Sequence, residues 1–139
     1  MSFQNPPDDE VKGLLERTQT IALVGASPKP NRPSHGVMAY LQRAGYQVTP
    51  IRPGGSEVLG QTCLASLRDL PEPPDLVDVF RAAEHAPAIV EDAIAIGATA
   101  IWFQDGVVHE EAAARALEAG LVVVMNDCTL RAHRRLLGG

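Results

Sequence analysis

The stretch that decides the fold is IALVGASPKPNRPSHGVMAYLQRAGYQVTPIRP, residues 21–53. It opens with an apolar run, passes through a proline-rich loop and continues into a segment whose apolar residues recur at helical spacing. Gly45 follows, where a glycine adopts the left-handed conformation that ends a helix without steric cost. A second apolar run then begins. This order predicts a strand, a crossover helix and a second strand parallel to the first.

The same alternation continues to the C-terminus. Gly97 and Gly120 stand, like Gly45, between a predicted helix and the next apolar run. Strands that are apolar throughout and alternate with helices indicate a parallel sheet covered on both faces. We therefore predict an α/β fold: a three-layer, doubly wound Rossmann-type parallel sheet of five main strands in the order 3-2-1-4-5, with helices on both faces. The predicted main strands cover residues 20–25, 47–51, 76–80, 99–103 and 121–125. Further elements are predicted as helices at 7–18 and 129–137, a short strand at 61–63 and a helical turn at 64–68.

Length and composition limit the protein class. A chain of 139 residues predicts one domain, residues 1–139, with residues 1–8 as a flexible N-terminus. The net charge of −5 argues against a nucleic-acid binder. No apolar run approaches the roughly 20 residues that a membrane span needs, and the acidic N-terminus is unlike a secretory signal, so we expect a cytoplasmic protein. The two cysteines show no metal-binding or redox spacing, and no metal site is predicted.

The loop after the first strand has the features of an anion-binding loop. In a doubly wound sheet, ligands bind at the carboxyl ends of the strands, where the strand order reverses. Gly25 allows a tight turn there, Ser27 and Ser34 add hydroxyls beside a helix N-terminus, and Lys29 and Arg32 add positive charge. The alternative is an ordinary loop in which Ser34 caps the helix and the cations are solvated.

Arg52 distinguishes between nucleotide classes. NAD-binding sheets place an acidic residue after the second strand, where it accepts hydrogen bonds from the ribose hydroxyls. Here the sequence reads TPIRPGG, and an arginine at that position favours a phosphate on the ribose. This favours NADP or coenzyme A over NAD. A solvated arginine before a turn is the alternative.

Two further strand ends supply candidate residues. Phe80 and Arg81 follow the third strand, where they are suited to flank an adenine or a pantetheine arm and to meet a pyrophosphate. The alternative places Phe80 in the core and pairs Arg81 with Glu84. After the fourth strand, Trp102 is expected in the core, whereas the polar Gln104 is expected to line the cleft.

Three stretches of the sequence match one family pattern: residues 21–53 quoted above, VLGQTCLASLRDLP and DLVDVFRAAEHAPAIVEDAIAIGATAIWFQDGVVHEEAAARALEAGLVVVMNDC. Together they resemble the stand-alone CoA-binding proteins, a family similar to the N-terminal CoA-binding domain of the succinyl-CoA synthetase alpha subunit. The resemblance covers roughly residues 10–130 and implies a Rossmann-type fold that binds CoA along the strand ends. It assigns a phosphate-facing role to the first loop, a ribose-phosphate role to the second, and ligand contacts to the third and fourth. The residues carried over are Gly25, Ala26, Ser27, Ser34, Arg52, Phe80, Arg81 and Gln104.

Catalysis is not expected. His35, His85, His109 and His133 are scattered, and none forms a local motif with a carboxylate or nucleophile. The sequence therefore predicts non-catalytic binding of coenzyme A or an acyl-CoA in a carrier, sensor or regulatory role. Two alternatives stay open: an NADP-binding oxidoreductase or redox-sensing module, and a subunit that gains activity from a larger ligase chain. A protein partner or a homo-oligomer is compatible with each of these hypotheses.

Overall fold

The computed structural model describes residues 3–138. Helices and strands alternate along this range, as the apolar pattern predicts, except between residues 51 and 76, where two short strands and a 3-10 turn stand in place of an α-helix. Among the described helices, none has the length and apolarity to cross a membrane. The α-helices are α1 (Asp8–Arg17), α2 (Pro33–Arg43), α3 (Ala86–Ala95), α4 (Glu110–Glu118) and α5 (Thr129–Leu137), and short 3-10 turns cover Leu67–Asp69 and Ala83–His85. The strands are β1 (Thr20–Val24), β2 (Gln47–Ile51), β3 (Glu57–Val58), β4 (Gln61–Thr62), β5 (Leu76–Val79), β6 (Ala100–Phe103) and β7 (Val122–Met125).

The main sheet has five parallel strands and confirms the predicted fold class. Helices α1, α2 and α5 pack together on one face, and α3 and α4 pack on the other. Every residue of β5 and β6 is buried, because each strand lies between two helical layers. This burial on both faces explains why these strands read as continuous apolar runs.

The predicted strand order of 3-2-1-4-5 is wrong. The sheet runs β2-β1-β5-β6-β7, so the third main strand, β5, pairs with β1 and does not lie outside β2. The outer edge of β2 is occupied by Leu64, whose backbone N–H donates to Pro50 (3.0 Å) and whose carbonyl accepts from Arg52 (2.8 Å). A right-handed crossover permits both orders, because the connection only has to change face. The switch point therefore lies between β1 and β5.

The first described residues pack against the sheet. Asn5 extends the open edge of β7: its side-chain amide donates to the Met125 carbonyl (2.9 Å), and its carbonyl oxygen accepts from the Met125 N–H (2.8 Å). The backbone N–H of Phe3 donates to Glu110. Residues 1–8 are predicted to be flexible, and the contacts of Phe3 and Asn5 differ from that prediction. Met1 and Ser2 lie outside the described residues. Pairing of this kind covers an otherwise unpaired strand edge.

Candidate functional site

A cavity of about 490 Å³ opens at the carboxyl ends of β1, β5 and β6, on the switch point of the sheet. Its volume lies within the range of small-molecule sites. The cavity brings together eight of the ten residues that the sequence predicts for the site, drawn from all four strand-end loops. Its wall consists of Gly25, Ser27, Lys29, Arg32, Pro33, Ser34, Val37, Arg52, Phe80, Gln104, Asp105, Val107 and Cys128.

Gly25 joins two of these loops. Its φ is +88°, a conformation that side chains disfavour, and a Cβ there would lie 3.0 Å from the carbonyl carbon and oxygen of Phe80. The N–H of Phe80 in turn donates to the carbonyl of Val24 (2.8 Å). Only glycine therefore lets the first and third loops approach closely enough to form one side of the cavity.

The first loop leads into a helix without a side-chain cap. Helix α2 begins at Pro33, and its N-cap residue, Arg32, makes no side-chain capping bond. Ser34 lies within the first turn and is buried, so the alternative in which it is the N-cap is wrong. Ser27 is also buried, and its hydroxyl accepts from the Lys29 N–H (3.1 Å). This leaves the positive end of α2 facing the cavity, an arrangement that favours anions.

Three cations belong to the cavity wall, two of them on the first loop and one on the second. Lys29 and Arg32 are exposed at its rim, and Arg52 is half-buried beside them. The Arg52 guanidinium donates to the carbonyl of Ala26 (3.2 Å), which ties the second loop to the first. The patch is cationic although the whole chain carries a net charge of −5. A local field of this sign attracts phosphates and offers them charge-assisted hydrogen bonds.

Two predicted site residues do not belong to the cavity wall. Ala26 is buried and contributes its carbonyl oxygen to Arg52. The side chain of Arg81 packs against Gly25, and its Cδ would lie 3.1 Å from a Cβ added there. Its Nη2 lies 3.1 Å from Nε2 of His85, so the structure shows a contact with His85 in place of the predicted alternative, a pairing with Glu84. Trp102 is in the core as predicted: it is fully buried, and its indole N–H donates to the carbonyl of Asp127 (2.9 Å).

The wall also contains residues that are not among the ten predicted for the site. Asp105 follows Gln104 and forms a two-pronged ion pair with Arg131 (2.6 and 2.8 Å), which holds the pKa of that carboxyl below its ordinary value. Cys128 is almost fully buried at the start of α5. No sequence spacing connects Asp105 with Arg131, because their contact depends on how α5 packs. Within residues 3–138, no group of three or more His, Cys, Asp or Glu side chains is arranged to hold a metal ion.

A buried polar network lies behind Gln104. The side-chain amide of Gln104 donates to Asp78 (2.5 Å) and to the hydroxyl of Thr129 (3.0 Å), and that hydroxyl donates to Asp78 (2.9 Å). Asp78 is fully buried, and desolvation raises its pKa to about 7, although both hydrogen bonds lower it. The only sequence signal for this network is an acidic residue within the otherwise apolar run LVDVF.

Comparison with known proteins reveals relatives along nearly the whole chain. The sequence profile of a protein family described as a CoA binding domain matches residues 19–134. The chain is 40% identical, over 131 residues, to the uncharacterized protein YneT of Bacillus subtilis, a match that covers 94% of this chain and 97% of that protein.

Solved structures show the same architecture. A hypothetical protein from Pyrococcus horikoshii matches with a TM-score of 0.93 and 43% identity, over 99% of this chain and all of that one (100%). A dinucleotide-forming acetyl-coenzyme A synthetase from Ca. Korarchaeum cryptofilum matches with a TM-score of 0.69 and 23% identity, over 78% of this chain and 26% of that one. At this lower identity the match demonstrates a shared fold and nothing more.

Proposed function

The chain belongs to the CoA-binding domain family, as the resemblance in the sequence predicts, and from this membership we propose that it binds coenzyme A or an acyl-CoA. The observation that carries the proposal is the cationic side of the cavity, where Lys29, Arg32 and Arg52 lie beside the uncapped start of α2. Coenzyme A carries a pyrophosphate and a ribose 3′-phosphate, and both need cations and free N–H groups.

Each loop has a role in the proposed complex. The first loop holds the pyrophosphate through Ser27, Ser34 and its two cations, and Arg52 binds the ribose 3′-phosphate. Phe80, half-buried on the wall, flanks the adenine or the pantetheine arm. Arg81, which packs against Gly25 outside the cavity wall, stabilises the third loop through its contact with His85 and adds positive charge near the ligand.

We further propose that the protein binds its ligand without catalysing a reaction, in a carrier, sensor or regulatory role. The carboxylate on the cavity wall, Asp105, is paired with Arg131, which keeps it ionised and poorly suited to donate a proton. A protein that presents or senses CoA needs an open cleft for the ligand, and the cavity reaches solvent between the strand-end loops.

Calorimetric titration with CoA, acetyl-CoA, NADPH and NADH tests the proposal. We expect CoA or acetyl-CoA to bind with a defined stoichiometry and NADH to bind weakly, because the residue that follows β2 is Arg52, whereas NAD-binding sheets have an acidic residue there to accept hydrogen bonds from the ribose hydroxyls. Binding of NADPH without binding of CoA would overturn the proposal and favour an NADP-dependent module.

Arg52→Ala locates the ligand within the cavity. Loss of a charge-assisted hydrogen bond weakens binding roughly 10- to 100-fold. We expect that loss for CoA and little change for 3′-dephospho-CoA. Arg43→Ala is the matched control, because Arg43 is exposed in the last turn of α2 and absent from the cavity wall. An equal loss for both ligands would mean that Arg52 does not bind the ribose phosphate.

A further inference from the structure

The two ends of the Gln104 carboxamide lie in different surroundings. The nitrogen donates to Asp78 and Thr129, whereas the oxygen, Oε1, takes part in neither bond. Gln104 is only 4% exposed and forms part of the cavity wall. Throughout residues 3–138, no fully buried side-chain nitrogen or oxygen lacks a hydrogen-bond partner. Oε1 therefore keeps its accessibility through the cavity, and the wall presents a hydrogen-bond acceptor at this point.

Asp78 determines which end of the carboxamide faces the cavity. At pH 8, above the pKa of about 7 that burial gives Asp78, its carboxylate is ionised and only accepts hydrogen bonds, so it selects the NH₂ group of Gln104 and excludes the oxygen. Thr129 completes the triangle, because its single hydroxyl proton goes to Asp78 (2.9 Å) and its lone pair accepts from Gln104 (3.0 Å). A rotated carboxamide would lose both of its donor bonds and place two acceptor oxygens in contact.

Backbone hydrogen bonds also fix the positions of the residues in this triangle of Asp78, Gln104 and Thr129. Asp78 lies within β5, in register with Leu23 of β1 and Trp102 of β6. The Gln104 N–H donates to the carbonyl of Val79 (3.2 Å), and its own carbonyl accepts from Val107 (3.0 Å). Asp78 is thus anchored within β5, Gln104 directly after the end of β6, and Thr129 on the first residue of α5. The acceptor is preorganised before any ligand enters.

We propose that Asp78 is a positioning residue that, through Gln104, makes the cavity select a ligand with a hydrogen-bond donor facing this wall. The inference rests on the proposed function, and it narrows the ligand class to one whose bound part carries such a donor. In coenzyme A, the donors are the amide N–H and hydroxyl groups of the pantetheine arm, the exocyclic amino group of adenine and the ribose 2′-hydroxyl. Each of them can donate to Oε1.

The first experiment measures affinities for CoA, adenosine 3′,5′-bisphosphate and 4′-phosphopantetheine at pH 8, where Asp78 is ionised. Gln104→Met keeps the side-chain length and removes the acceptor, and loss of one neutral hydrogen bond corresponds to roughly 3- to 12-fold weaker binding. We expect that loss for CoA and for only one of the two fragments, which identifies the donor. Gln61→Met, at an exposed glutamine of β4, is the matched control and leaves all three affinities unchanged. Unchanged affinities in Gln104→Met, or equal losses for both fragments, would overturn the proposal.

A double-mutant cycle separates positioning from a merely structural role. Asp78→Asn offers the neighbouring carboxamide both donors and acceptors, so it no longer selects the orientation. We expect Asp78→Asn to weaken CoA binding as Gln104→Met does, and to have no further effect on affinity in the Gln104→Met background. A full additional loss in the double variant would show that Asp78 does not act through Gln104.

A third measurement needs no ligand. At pH 8, above the pKa of about 7 that burial gives Asp78, both side-chain N–H protons of Gln104 should exchange slowly with solvent in NMR spectra. Asp78→Asn should remove this protection while the backbone spectrum stays that of a folded protein. Rapid exchange in the wild type would overturn the positioning role alone. Failure of the wild type to bind CoA, with the protons still protected, would instead overturn the proposed function and the ligand selection that rests on it.

Discussion

Replacing Asp78 by asparagine should change how the stability of the protein depends on pH. Burial raises the pKa of Asp78 from 3.8 to about 7, so the folded state binds this proton more tightly than the unfolded state does. The sign follows from linkage: the contribution of Asp78 to stability is fully present below about pH 3.8 and is lost as the pH rises through about 7. Asparagine cannot titrate, so the variant lacks this dependence.

The magnitude follows from the same shift. Between the two pKa values, each pH unit changes the free energy of unfolding by about 1.4 kcal/mol, and the change levels off above pH 7. From pH 5 to pH 8, the wild type should therefore lose about 2.5 kcal/mol relative to Asp78→Asn. Asp78 is fully buried, so solvent screening does not reduce this figure.

Urea denaturation of both proteins at half-unit intervals from pH 5 to pH 8 measures the difference directly. All other titrating groups are shared, so their contributions cancel in the comparison. Asp69→Asn, at an exposed aspartate, is the matched control and should follow the wild-type curve. Parallel curves for Asp78→Asn and the wild type across this range would refute the reasoning, because they would mean that Asp78 stays ionised in both states.

Gly25→Ala should lower the free energy of unfolding by roughly 1–3 kcal/mol and weaken CoA binding, because it adds both backbone strain and a contact with Phe80. Gly45→Ala is the control and should lower stability alone, because Gly45 has a φ of +104° and no atom within 4 Å of an added Cβ. Equal effects of the two variants on binding would contradict the close approach of the first and third loops. Asn5→Ala should lower the free energy of unfolding by about 1–2 kcal/mol without affecting affinity, and unchanged stability would mean that the edge of β7 is not held by Asn5. The affinity for CoA should fall as salt rises from 50 to 500 mM, and Lys29→Ala should reduce that dependence; a salt-independent affinity would count against the cationic patch.

Local patterns in the sequence determined the elements of this protein. Helix α5 spans 129–137 as predicted, and β2 spans 47–51, because apolar periodicity and glycine positions act over a few residues. The family was also predicted from motifs in the sequence, and its profile matches residues 19–134. The candidate cations could be proposed from the sequence because the strand ends of a parallel sheet meet at one edge, and Lys29, Arg32 and Arg52, which follow β1 and β2, all line the cavity.

Tertiary packing alone decided the strand order and the polar network behind the cavity. The handedness of a crossover permits β5 on either side of the β1–β2 pair; in the structure β5 pairs with β1, and Leu64 occupies the outer edge of β2. Asp78, Gln104 and Thr129 are separated by at least 25 residues in the chain, and no periodicity connects them. They meet because β5, the end of β6 and the start of α5 lie side by side in the packed layers. Sequence patterns report only on near neighbours along the chain, so they do not predict this contact.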